Sequence, residues 1–244
     1  MVRHEDRAVY QMSFFNGSKE SEIAAVRTML KEPLLSQKFT MDALHFNPDT
    51  LIPINLAGGV FLASLKDNQP ELFEEMQFCS RELSADYYYQ SQIEKAHGRE
   101  EQRSYWCYNI EGEYIDKRWE KAGFKYLVKV KRERIICNRN LYSQQIAYFL
   151  TNENVQNQQD AEGLFQAVRQ HWQVETANNA RDCILKEDTL RCTFTNTNRT
   201  IALCRTLTIK LLNQSNIKNR CELMDNFADD FDSCIDFLKA INFL

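Results

Sequence analysis

The sequence predicts an α/β domain with a β-rich insertion and a helical C-terminal part. Three observations predict it. The first 70 residues alternate strand-like and helix-like patterns. The stretch 71–155 holds three β-rich segments, and 156–244 returns to helical periodicity. With only 7 Gly and 4 Pro in 244 residues, an all-β protein built on many tight turns is disfavoured, as is disorder. A chain of this length buries a substantial core. We read 1–244 as one domain in three segments, 1–70, 71–155 and 156–244.

The elements follow in order. "RAVYQMSFF" (7–15) is rich in β-formers and stops at "NGS", a turn signal. "KESEIAAVRTML" (19–30) brings Ile23, Val26 and Leu30 to one helical face, with Ser18 or Ser21 as N-cap. "KFTMDALHF" (38–46) reads as a short strand running into a loop, "TLIPINLAG" as a helix despite its proline, and "GGVFLASLK" (58–66) as an apolar strand. Strand, helix, strand in this order implies parallel pairing, and in such sheets functional groups gather at the carboxyl ends of the strands. Asp42 closes "KFTMD" and is placed there.

"PELFEEMQFCSREL" then reads as a helix, and "QRSYWCYNI", "FKYLVKVKRERII" and "QQIAYFLTN" as strands. A long helix covers "AEGLFQAVRQHWQVETANNARD" (161–182). Two further helices are expected, over 200–214 and over 226–243.

Charge is distributed unevenly behind a net value of −4. From Lys117 to Arg134 there are eight Lys/Arg against two Glu; from Glu222 to Asp236 there are six acids and no base. The cations Lys117, Arg118, Lys121, Lys125, Lys129, Lys131, Arg132 and Arg134 are interleaved with Trp119, Phe124 and Tyr126, a composition suited to backbone phosphates. A charged strand edge that discourages aggregation accounts for the same residues. No apolar run is long enough to span a bilayer, and the first residues lack the apolar core of a secretory signal. The eight cysteines form no C-x-x-C pair and several sit in apolar stretches, which fits structural thiols in a reducing cytoplasm.

Motifs for nucleotide loops, serine hydrolases, zinc helices and dinucleotide folds are absent. Acids and histidines remain. His171, Glu175 and Asp182 recur at steps of four and seven, which stacks them along one helix face beside Val168 and Trp172. A solvated face ending in a cap and a carboxylate serving a metal completed elsewhere both fit that pattern.

Six segments resemble, in order, motifs of the DDE insertion-sequence transposases of the H-repeat-associated group. "FTMDALHF" is similar to that family's second-aspartate strand, and "GGVFLASLKDNQPEL" to its Gly-Gly strand followed by Lys-x-Asn-Gln. "KAHGREEQRSYW" resembles its His-Gly-Arg segment, "SQQIAYFLTN" a later strand, "VRQHWQVET" the helix of its third acid, and "KEDTLR" a motif beyond it. The resemblance implies a ribonuclease-H-like mixed sheet, a DNA-cutting and strand-transfer activity, and two divalent ions, Mg²⁺ or Mn²⁺. It assigns Asp42 and Glu175 as metal ligands and catalytic acids. It places His97 and Arg99 in a segment that contacts DNA or orders the site. Lys66, at its strand end, would meet a phosphate or stand as a plain surface lysine. His171 would support the metal shell or a phosphate, or hydrogen-bond within the core. DNA is the implied partner, with a second copy or a full-length transposase as a further one, in the cytoplasm and away from membranes.

The family's first acid lies in an Asp-Gly-Lys motif, and nothing between Met1 and Asp42 resembles it. The expectation is therefore a form truncated before the first core strand, with impaired catalysis. The alternative is a non-catalytic DNA-binding or regulatory remnant.

Overall fold

The computed structural model describes residues 22–30, 34–96, 98–138, 141–183, 185, 194–214 and 219–241, without the side chains of 173–183, 195, 213 and 214. The expected strand over 7–15 lies outside the described residues. The chain divides into two compact units, 17–169 and 1–16 with 170–244.

The unit 17–169 is built on one mixed, open sheet of seven strands: β1 (Lys38–Met41), β2 (Val60–Leu65), β3 (Tyr87–Gln90), β4 (Glu94–Ala96), β5 (Arg99–Asn109), β6 (Tyr126–Ile136) and β7 (Leu141–Thr151). Their order is β1-β2-β7-β6-β5-β3, with β4 also on β5. β1 and β2 are parallel, as the strand–helix–strand reading implies; every other pair is antiparallel. The β-rich segment is thus continuous with β1 and β2, because β7 returns to pair directly with β2. Sequence periodicity missed β3 and β4. Each is too short, at four and three residues, to show an alternation.

Helices α1 (Glu22–Met29), α2 (Pro48–Leu56), α3 (Pro70–Glu82) and the first part of α4 (Gln158–Cys183) complete this unit. Pro48 and Pro70 stand in first turns, where a missing N–H costs nothing. Alternation along the strands sorts the core into two layers. Leu62, Tyr105, Cys107, Tyr126, Val128, Val130 and Phe149 pack against Ala161, Leu164, Phe165 and Val168 of α4. Val168 is therefore a core residue of the sheet, as the helical pattern suggests, and Phe165 stacks on Tyr105 at 5.1 Å. The opposite face meets α3, where Phe73 sets its ring edge-on to Tyr148 at 5.6 Å. Burial pushes the Cys107 thiol up to about 12, so this cysteine is an inert apolar filler.

The aromatics interleaved with the basic run are not on its surface. Trp119, Phe124 and Tyr126 are all buried. Trp119 and Phe124 join Phe46 in an aromatic cluster, with ring centroids 5.1–5.8 Å apart. A short 3-10 turn over Lys117–Ala122 turns Trp119 inward while Lys117, Arg118 and Lys121 stay outside. The expected face of alternating rings and cations is corrected accordingly.

In the other unit, α5 (Thr195–Gln214), α6 (Arg220–Asp229) and α7 (Phe231–Ala240) are helical. The helix expected over 226–243 is two helices. Asp230 adopts an extended backbone (φ −137°, ψ 105°) and caps α7, accepting the Asp232 N–H at 3.1 Å and the Ser233 hydroxyl at 2.5 Å. The Asp-Asp-Phe-Asp run hides this break from a periodicity reading, since Asp is a strong cap as well as a tolerated helix residue. Phe227 and Phe237 pack across the break at 5.2 Å. No helix among the described residues is long and apolar enough to cross a membrane.

Candidate functional site

The parallel register, Lys38↔Val60 through Met41↔Ala63, brings the carboxyl ends of β1 and β2 to the same edge. The residues that follow them, Asp42 and Lys66, meet there, with Lys66 Nζ 3.5 Å from Asp42 Oδ1. Both side chains are more than half exposed, 57% and 61%. Asp42 also caps the 3-10 turn Ala43–His45, accepting the Ala43 N–H at 2.6 Å. That bond fixes the carboxylate at the strand end.

Two amides lock the loop after β2 to the loop after β1. Asn68 Nδ2 donates to the Ala43 carbonyl at 2.8 Å, and Gln69 Nε2 donates to the Phe46 carbonyl at 3.1 Å. From α1, Arg27 reaches Asn47 Oδ1 at 2.8 Å and Asp49 Oδ2 at 3.1 Å. These groups surround an open cleft of about 480 Å³ lined by Asp42, Lys66, Asp67, Asn68 and Arg27 among others. Its donor set is hard: two carboxylates and amide oxygens beside two cations. Such oxygens suit Mg²⁺ or Mn²⁺, and the cations suit phosphate. Sequence reasoning placed Asp42 and Lys66 here. It missed Arg27 and Asp67, which carry no pattern of their own, and it quoted Asn68 and Gln69 in a motif without assigning them the task of joining the two loops.

The basic run is divided by the strand period. Arg132 and Arg134 point to the α4 face, Lys129 and Lys131 to the α3 face, while Lys117, Arg118 and Lys121 lie on the turn before β6. Lys125 precedes the strand, half-buried, and Arg99 is exposed at the start of β5. On the α4 face the arginines are structural partners. Glu101, 8% exposed, is held by Arg103, by Arg132 at 2.9 Å and by Arg134 at 3.1 Å. Lys131 pairs with Glu133 at 3.0 Å. A run of cations in sequence thus becomes three groups in space.

Glu94 bridges Arg169 of α4 at 2.5 Å and Arg103 at 3.5 Å. The hydrogen bond from Arg169 outweighs partial burial and holds the Glu94 carboxyl below its ordinary value. A lowered folded pKa stabilises the fold above the unfolded carboxylate pKa, and this is lost as pH falls through the folded value. Glu94→Gln is therefore expected to lower the melting temperature at neutral pH and to approach the parent in acid, where the parent's own carboxyl is protonated, so that the acid fall is flattened; thermal melts from neutral to acid pH check it.

His171 and Trp172 are half-buried on α4. Glu175 and Asp182 belong to the same helix, but their side chains lie outside the described residues, as does His97. No family model matches the chain, and no curated protein matches it.

Proposed function

We propose that the chain is a DNA-processing domain of the DDE transposase type, with Asp42 as a ligand of Mg²⁺ or Mn²⁺. The observation that carries this reading is the position of Asp42, fixed by its cap at the carboxyl edge of a parallel strand pair, inside an open cleft beside Lys66. A ribonuclease-H-like sheet presents its second acid in this way, and the six motifs supply the family resemblance. The resemblance names Asp42 and Glu175 as its ligands, and at the cleft Asp67 would add a further oxygen. The ion would neutralise charge on the attacking and leaving oxygens of a phosphodiester. Lys66 and Arg27 would draw the DNA backbone to the cleft, and Asn68 and Gln69 keep the two loops in register while it is bound.

Mn²⁺ titration by calorimetry tests the reading. The parent chain is expected to bind, and Asp42→Ala and Glu175→Ala each to abolish binding. Binding that survives both substitutions, or its absence from the parent, overturns the assignment. A loading-dependent nicking activity lost in Glu175→Gln would follow from the same site.

A second reading, a DNA-binding protein without catalysis that associates with a second copy or a full-length transposase, is favoured by one observation. The Lys66 ammonium already lies 3.5 Å from the Asp42 carboxylate, where a metal ion would sit. DNA binding indifferent to chelators and to Glu175→Gln is its expected signature.

A further inference from the structure

One row of directly paired residues crosses five strands of the sheet. Leu65 of β2 faces Tyr148 of β7, Tyr148 faces Lys129 of β6, Lys129 faces Trp106 of β5, and Trp106 faces Tyr88 of β3. Paired residues share a face, so all five stand on the α3 side. At four interstrand steps the row is about 19 Å long. It starts one residue before Lys66 and leaves the core as it goes: Leu65 and Tyr148 are buried, Lys129 and Trp106 half-buried, and Tyr88 is 47% exposed.

The outer end is unlike a sheet surface left to water. Tyr88 and Trp106 form an aromatic pair, centroids 5.4 Å apart and planes tilted by 46°. Lys129 Nζ sits over the indole at 5.8 Å. Burial, and with it the charge of Arg81 from the end of α3, holds Lys129 below the ordinary lysine value. Among the described residues neither Lys129 nor Arg81 has a carboxylate within ion-pair distance, in contrast to Lys131, Arg132 and Arg134 on the same strand. Two neighbouring cations with no carboxylate within ion-pair distance among the described residues, set against one exposed and one half-buried ring, match a partner that offers anionic charge and flat apolar faces together.

We propose that Tyr88, Trp106, Lys129 and Arg81 form a binding platform for single-stranded nucleic acid, with bases stacked on the Tyr88–Trp106 pair and phosphates against the two cations. Duplex DNA keeps its bases stacked on one another, so the rings select unpaired nucleotides. The accessible part of the row, Tyr88 to Lys129, covers two interstrand steps, about 10 Å. The platform uses neither Asp42 nor a metal. It stands whether or not the chain cuts DNA.

The test is fluorescence anisotropy of a labelled 12-residue oligothymidylate with the full chain in metal-free buffer, against a duplex of equal length. The parent is expected to prefer the single strand. Tyr88→Ala is expected to weaken it about tenfold, in line with the loss of one stacked base, Lys129→Gln to weaken it and make it less salt-dependent, in line with the loss of one phosphate contact, and Tyr88→Phe to retain it, because the ring remains. Asp42→Ala is expected to leave it unchanged, so failure of the metal-site reading and failure of this one are separately visible. Equal affinity for single strand and duplex, full affinity in Tyr88→Ala, or equally tight binding of thymidine monophosphate would each overturn the proposal. Tyr88 is on the surface and Lys129 half-exposed, and circular dichroism of the variants confirms that the fold is kept.

Discussion

Glu101→Ala destabilises the unit 17–169 by about 3–5 kcal/mol, the cost of removing one partner from a buried ionic cluster. Its carboxylate is 8% exposed and is contacted by Arg103, Arg132 and Arg134, whose side chains are themselves only 13%, 16% and 28% exposed. The register makes this unavoidable. Arg134 is paired with Glu101 and Arg103 with Arg132, so the four heads converge over two strands. With the acid gone, three guanidiniums remain together in poor solvent. The cluster itself adds little over an apolar packing of the same volume, but its disruption is expensive. Urea denaturation measures the loss, and two controls identify its cause. Repulsion is screened, so the deficit shrinks in about 1 M salt, where the Debye length is near 3 Å. Adding Arg132→Ala to Glu101→Ala recovers part of the stability, since one of the repelling charges is removed. A deficit independent of salt and additive in the cycle would mean that packing, not charge, is what Glu101 supplies.

This cluster also marks where the sequence stopped being informative. The interval Lys117–Arg134 is dense in cations, and density in sequence suggests a single face. A strand sends successive side chains to opposite sides, so Lys129 and Lys131 part from Arg132 and Arg134, and the acid that claims the arginines lies 31 residues upstream of Arg132 on β5. Long-range pairing of this kind leaves no local signature. Trp119 failed for a related reason: a single 3-10 turn reverses its direction relative to Lys117 and Lys121. By contrast, β1, α2, β2, α3, β5, β6, β7 and α4 were legible because each has either a sustained apolar period or a clear turn at its end. The parallel pair followed from the order of those elements, and with it the placing of Asp42 at the strand edge. The cleft's other members were not legible. Arg27 arrives from α1, and Asn68 acts through a backbone carbonyl of the neighbouring loop, a contact that any Asn in any loop can make.

Asn152→Ala is expected to cost about 3 kcal/mol, since it strands two buried backbone groups at roughly 1–3 kcal/mol each, a sum that is seldom fully additive. Asn152 follows the last residue of β7 and is 8% exposed. Its Oδ1 accepts the Phe61 N–H at 2.9 Å, and its Nδ2 donates to the Gly59 carbonyl at 2.9 Å and to Asn55 Oδ1 at 2.8 Å. Asn55 in turn donates to the Lys121 carbonyl at 3.1 Å. The side chain thus continues the β2–β7 ladder where the backbone of β7 leaves it, and links β2 to α2 and to the turn that carries Trp119. The backbone beside it has no room to adjust. A Cβ on Gly59 would lie 1.9 Å from the Leu35 carbonyl oxygen, so β2 begins in direct contact with the segment that leads into β1. For a unit of about 150 residues the loss corresponds to a melting temperature lower by roughly 6–12 °C. Asn152→Asp separates the roles. It keeps the acceptor for Phe61 and replaces the amide donor with a second acceptor, which faces the Gly59 carbonyl and Asn55 Oδ1. It is therefore expected to be at least as damaging as alanine at neutral pH and to recover as the carboxyl is protonated in acid, where it can donate again. Because β1 and β2 deliver Asp42 and Lys66, the same substitution is also expected to weaken Mn²⁺ binding without touching the cleft. An Asn152→Ala chain that melts like the parent would show that the Phe61 and Gly59 groups find other partners, and that the strand edge holding Asp42 is fixed from the side of α2 alone.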